Sequence, residues 1–161
     1  MPVYNSQFLE NLPGGGQRIS PAVLASVGPI LDVSVSIPQA LTDFYTRQQI
    51  PIPSPITGIA LIDTGASKSC VHGPVMSTLG VNPIGIATSH TAAGPVPHNL
   101  FPAHFTFPGA RIEVDFASVV GADLSGQIIN NRQLIALIGR DVLSMGIFVY
   151  NGPAGAFSFA I

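Results

Sequence analysis

The sequence predicts an all-β domain, and three observations carry that prediction. Fifteen prolines and seventeen glycines break the 161 residues into short segments. Those segments are rich in Val, Ile, Phe and Thr, and several alternate apolar with polar residues, the period of a half-buried strand. No long stretch repeats apolar residues at helical spacing.

Residues 1–20 are polar and contain Gly14-Gly15-Gly16; they are read as an N-terminal arm or linker, with the domain proper at 21–161. The triple glycine lacks the Gly-Lys-Ser/Thr of a phosphate loop. ILDVSVSI (30–37) sets Leu31, Val33, Val35 and Ile37 on one face of a strand and Asp32, Ser34 and Ser36 on the other. Pro38 ends it, and 39–55 is an excursion with one helical turn, closed by PIPSP. ITGIALI (56–62) is a nearly continuous apolar run, as suits a strand covered on both faces. Residues 75–80 fit a short helix or turn. GIATSHTAAGPVPHNL (85–100) reads as a hairpin with its tip at Gly94-Pro95, and AHFTF with RIEVDFASVV as a second hairpin around Pro108-Gly109. LIALI (134–138) is another buried strand, followed by a short helix from Asp141 and a terminal hairpin of GIFVY and AFSFAI.

Composition excludes several function classes. Six basic against eight acidic residues give a net charge of −2, without the Lys/Arg-rich face that nucleic acid requires. Cys70 is the only cysteine, so no internal disulfide framework exists. No apolar run reaches the roughly 18 residues of a membrane span, and no signal peptide is visible, which leans toward the cytoplasm. His72, His90, His98 and His104 lack the tight paired spacing of a zinc site, so no metal is expected. His72, nine residues after Asp63, is positioned in sequence to tune a cleft's response to pH. Ser67, Ser69 and Cys70 lack the glycine pattern of a nucleophile site. Only 9% of residues are charged, which lowers the barrier to self-association.

The chemistry concentrates where ITGIALI delivers Asp63-Thr64-Gly65. A rigid strand fixes the aspartate, and Gly65 permits a tight turn and close backbone approach. A lone buried carboxylate is costly, whereas two facing carboxylates share one proton and divide the labour of acid and base. The chain has one Asp-Thr-Gly, so a paired site needs a second copy.

The order LIDTGAS, a glycine-bearing hairpin, then LIGRDVLS resembles the retroviral-type aspartic proteases, or retropepsins, over roughly residues 29–161. The resemblance implies a closed or partly open β-barrel with one short helix, acting as a homodimer in which Asp63 of each chain is catalytic and no cofactor is needed. It implies that Thr64 locks the two loops together, that Gly65 and Ala66 belong to the catalytic loop, and that Gly139 and Arg140 brace it from behind. It places a flap at Thr91–Val96, with Ala93, Gly94 and Pro95 against an extended polypeptide substrate. Pro95 and Pro97 stiffen that flap. The retroviral pattern has an acid at the place of Ser67; without it, Arg140 needs another partner, among them Asp141, Glu113 or a carboxylate of the other chain. These departures fit a cellular or bacterial relative. Scarce charge points to apolar side chains in the central pockets. The competing expectations are a silent peptide-binding or dimerisation module of the same fold, and a protease domain cut from a larger polyprotein or membrane protein.

Overall fold

A computed structural model of the chain describes residues 2–91 and 94–161, with the side chains of His90 and Thr91 outside the description. In chain order the elements are β1 (Val3–Gln7), β2 (Leu9–Asn11), β3 (Gln17–Ile19), α1 (Pro21–Val27), β4 (Ile30–Ser36), α2 (Gln39–Gln48), β5 (Ile56–Ile62) and β6 (Cys70–His72). There follow α3 (Gly73–Thr78), β7 (Gly85–Thr91), β8 (Gly94–Phe107), β9 (Ile112–Ala122), β10 (Ile128–Ile129), β11 (Arg132–Ile138), α4 (Arg140–Leu143), β12 (Ile147–Asn151) and β13 (Ala156–Ala160).

Six strands close into a barrel in the order β11-β5-β4-β8-β9-β6, with β6 returning to pair with β11. Closure leaves these six strands no free edge. The alternation in β4 works as its sequence demands: Leu31, Val33, Val35 and Ile37 are buried in the barrel core with Phe105, Phe107 and Ile112. β5 is covered on both faces. Ala60 and Ile62 join that core, while Ile59 packs with Leu124 and Leu134 in a second, smaller cluster outside it. β11 serves both clusters too, because a register shift between Leu134 and Ala136 rotates its side chains part-way along.

The arm at residues 1–20 is woven onto the body. β1 pairs with β13, which pairs in turn with β12, and Tyr4 stacks on Phe157. β2 and β3 form a small hairpin whose turn uses Gly15 and Gly16 at positive φ.

Among the described residues four helices occur, where the sequence suggested one short helix from Asp141, a helical turn within 39–55 and a helix or turn at 75–80. α1 has local signals: Ser20 accepts a hydrogen bond from the Val23 amide as N-cap, Pro21 takes the first turn, and Gly28 ends the helix at φ 77°. At seven residues it is too short to show a clear apolar period. α2 runs ten residues rather than one turn, yet buries none of them fully, so its stripe is weak in the sequence. α3 and α4 each last little more than a turn. No helix among the described residues is long and apolar enough to cross a membrane.

Candidate active site

β5 and β11 run side by side and parallel, with Ile62 opposite Ile138, and their ends carry the two sequence motifs. The chain leaves β5 at Asp63, whose amide donates to the Ile138 carbonyl at 2.9 Å. It then arches over the end of β11 and comes down as β6 on the other side, where Cys70 sits opposite Leu137. The Asp-Thr-Gly loop therefore straddles the strand that ends in Gly139-Arg140.

Within the loop, the Asp63 Oδ1 accepts hydrogen bonds from the amides of Gly65 (2.9 Å) and Ala66 (3.2 Å). This fixes the carboxylate orientation through the backbone of its own turn. Asp63 is half-buried, so it keeps access to solvent rather than standing as a sealed carboxylate. Thr64 and Gly65 are exposed, and the Thr64 hydroxyl has no hydrogen-bond partner among the described residues.

Arg140 lies directly behind. Its amide donates to the Ala66 carbonyl at 3.0 Å, and its Nη1 donates to the carbonyls of Thr64 (2.9 Å) and Gly65 (2.8 Å). The partner that a missing acid at Ser67 left open is thus the loop backbone itself, not Asp141 or Glu113. Gly139 is required for a different reason. A Cβ there would stand 2.6 Å from the Lys68 carbonyl carbon and 2.9 Å from the Ser69 nitrogen. The two segments touch backbone to backbone, and no side chain fits between them.

A further brace was not legible as such. Ser69 is fully buried; its hydroxyl donates to Asp141 Oδ1 at 2.7 Å and accepts from the Gly139 amide at 3.0 Å. Its amide also donates to both Asp141 oxygens, at 3.0 and 2.9 Å. Ser69 is a strut, its hydroxyl bonding only Asp141 and Gly139 among the described residues. The only sequence signal was a small polar residue following the loop, and Asp141 lies 72 positions away.

β7 and β8 form the expected hairpin beside this loop, in register from Gly85 opposite Leu100 to Thr91 opposite Gly94. Gly94, at φ 115°, opens β8, and Pro95 and Pro97 follow opposite His90 and Thr88. Ala93 lies outside the described residues. Ser89 Oγ and His98 Nε2 sit 2.8 Å apart across the two strands. Between hairpin and loop opens a cleft of about 520 Å³, walled by residues 65–68 and Cys70 on one side and 87–89 with His98 on the other. Burial pushes the Cys70 thiol above its usual range, and the negative charges of Asp141 and Asp63 push it the same way.

His72 and His104 are occupied elsewhere, and the side chain of His90 lies outside the described residues. His72 is buried beside α3, and its Nδ1 accepts from the Leu124 amide at 3.1 Å. It does not line the cleft. His104 pairs with Asp115 at 2.9 Å on the outer surface. Among the described residues no three His, Cys, Asp or Glu side chains are grouped to hold a metal ion.

Two solved structures are similar to this chain. One is the protease of Simian Foamy Virus (mac), 14% identical with a TM-score of 0.43, covering 72% of this chain and 92% of its own. The other is a retropepsin-like aspartic protease from Rickettsia conorii, 11% identical with a TM-score of 0.42, covering 98% of this chain and 92% of its own. The likeness is to retropepsin-like structures. No family model and no curated protein matches the sequence. Identities this low carry no chemistry across to this chain.

Proposed function

We propose that the chain is a retropepsin-like aspartic endopeptidase, active as a homodimer in which each copy supplies one Asp63. The observation that carries this reading is the placement of Asp63. It sits at the end of a rigid buried strand, is oriented by two backbone amides, and is braced from behind by Arg140, yet it stays open to solvent. A braced, half-buried carboxylate that keeps access to solvent is suited to be half of a paired site. Among the described residues no second carboxylate hydrogen-bonds to it.

In the dimer the two carboxylates share one proton, since both cannot ionise at close range. The ionised one takes a proton from water as that water attacks the peptide carbonyl carbon. The protonated one gives its proton to the carbonyl oxygen, forming a tetrahedral diol. Collapse of the diol breaks the C–N bond as a proton passes to the leaving nitrogen. The exposed Thr64 hydroxyl is available to bond the partner's loop. The substrate lies extended in the cleft, pairing with strand edges beneath the β7–β8 hairpin, where Gly94 and Pro95 open β8.

The dimer contact favoured here is β12. It is one of the two edges of the three-stranded sheet β1-β13-β12, the one that follows α4 directly and exposes Ile147 and Val149 beside Met145. A flat aliphatic edge of this kind invites strand pairing with another copy.

The test is to incubate the protein with a diverse peptide mixture between about pH 4 and pH 7, beside Asp63→Asn. Cleavage by the wild type alone supports the reading. Equal cleavage by both proteins sinks it, and no cleavage by either at any pH leaves a peptide-binding or dimerisation module.

A further inference from the structure

The cleft beside Asp63 carries a charge that the scarcity of ionic residues in the chain conceals. Lys68 ends the loop wall, five residues past Asp63, and His98 faces it from the hairpin wall. No aspartate or glutamate lines the cleft. Lys68 is exposed, and among the described residues it makes no ion pair; the four that occur join Arg18 to Glu10, His104 to Glu113 and Asp115, and Arg132 to Asp32.

The neighbouring charged groups are hydrogen-bonded to other partners through at least one atom. Asp63 accepts from its own turn, Asp141 is bound by Ser69, and Arg140 is turned onto the carbonyls of Thr64 and Gly65. Lys68 lines the cleft as an exposed cation on a four-carbon stem, with no ion pair among the described residues. A strand advances about 3.3 Å per residue, so a peptide whose scissile bond lies at Asp63 passes Lys68 within a few residues.

With Asp63 taken as the hydrolytic centre, as proposed above, we propose that Lys68 selects substrates carrying a glutamate or aspartate a few residues from the bond that is cut. Charge complementarity across a partly enclosed contact gives specificity more than raw affinity. The selection acts on one position, while the apolar floor made by Val120 and Ala122 accepts the side chains around it.

Two measurements test this separately from turnover. In the first, full-length Asp63→Asn is titrated with extended peptides that differ only by Glu, Gln or Lys at successive positions. The expected result is one position at which Glu binds roughly twofold to fivefold tighter than Gln, a preference that fades at high salt. Adding Lys68→Gln abolishes the preference, Lys68→Glu reverses it toward Lys, and Lys68→Arg keeps it. In the second, the same peptides are offered to the cleaving protein, and kcat/KM follows the same ranking. A ranking that ignores residue 68, or no peptide binding at all, overturns the proposal. Failure of the wild type to cleave counts against the peptidase reading alone, because the binding ranking still decides the role of Lys68.

Discussion

Asp141 holds Ser69 through its amide and its hydroxyl together, and so ties the start of α4 to the descending arm of the Asp63 loop. Removing that carboxylate leaves a buried N–H and a buried hydroxyl without their acceptor. Asp141→Ala should therefore cost about 2–3 kcal/mol, whereas Asp141→Asn keeps one acceptor oxygen and should cost less. Thermal or urea unfolding of the two variants checks the order.

Gly139 predicts a loss from adding a single methyl group. Its virtual Cβ overlaps the Lys68 and Ser69 backbone rather than a movable side chain, so the loop must shift as a unit. Gly139→Ala should lower stability by about 1–3 kcal/mol. Peptide cleavage should fall further than stability explains, because the displaced segment contains the Asp63 turn. Comparing Tm with kcat/KM at a temperature where the variant is fully folded separates the two effects.

Cys70 reports on the cleft by its titration. A thiol pushed upward by burial and by the charges of Asp141 and Asp63 holds less thiolate at neutral pH than a free cysteine. Alkylation should therefore be slow near pH 7 and climb only at higher pH. Asp63→Asn removes one of the charges that raise it, so its rate profile should move toward lower pH. An unshifted profile would show that the two groups do not sense each other.

The edge strand β12 makes a prediction about assembly. Val149 and Ile147 are about half exposed in the single chain, so a charge at either should leave the protomer folded. Val149→Asp should convert dimer to monomer in sedimentation, and peptide cleavage should vanish with it. A monomeric wild type with full activity would remove the need for a second Asp63.

Much of the barrel was legible because its strands carry their own patterns. The alternation of Leu31, Val33, Val35 and Ile37 specified a face, and the unbroken run at 56–62 specified burial on two. The loop at Asp63 and the glycine and arginine behind it were legible as motifs. What bridges them was not. The Ser69–Asp141 strut and the turning of Arg140 onto carbonyls depend on the arch over β11, which no local pattern encodes. α1 escaped because seven residues show too little of a helical period, and α2 was read as a single turn because it buries no residue completely. The pairing of β1 with β13 joins the two ends of the chain, and five polar-rich residues gave no hint of their partner.

The arch over β11 bears on when the Asp63 loop can take its shape during synthesis. The strand that supports the Asp63 loop begins at Arg132, and Gly139 and Arg140 follow it. A nascent chain that has made Asp-Thr-Gly but not yet this strand has nothing for the loop to close around, and its barrel lacks a stave. The carboxylate then lies on an unshaped segment for the time taken to add about 75 more residues, seconds at ordinary translation rates. The setting of the Asp63 carboxylate is thereby deferred until that strand, with Gly139 and Arg140 after it, has been made.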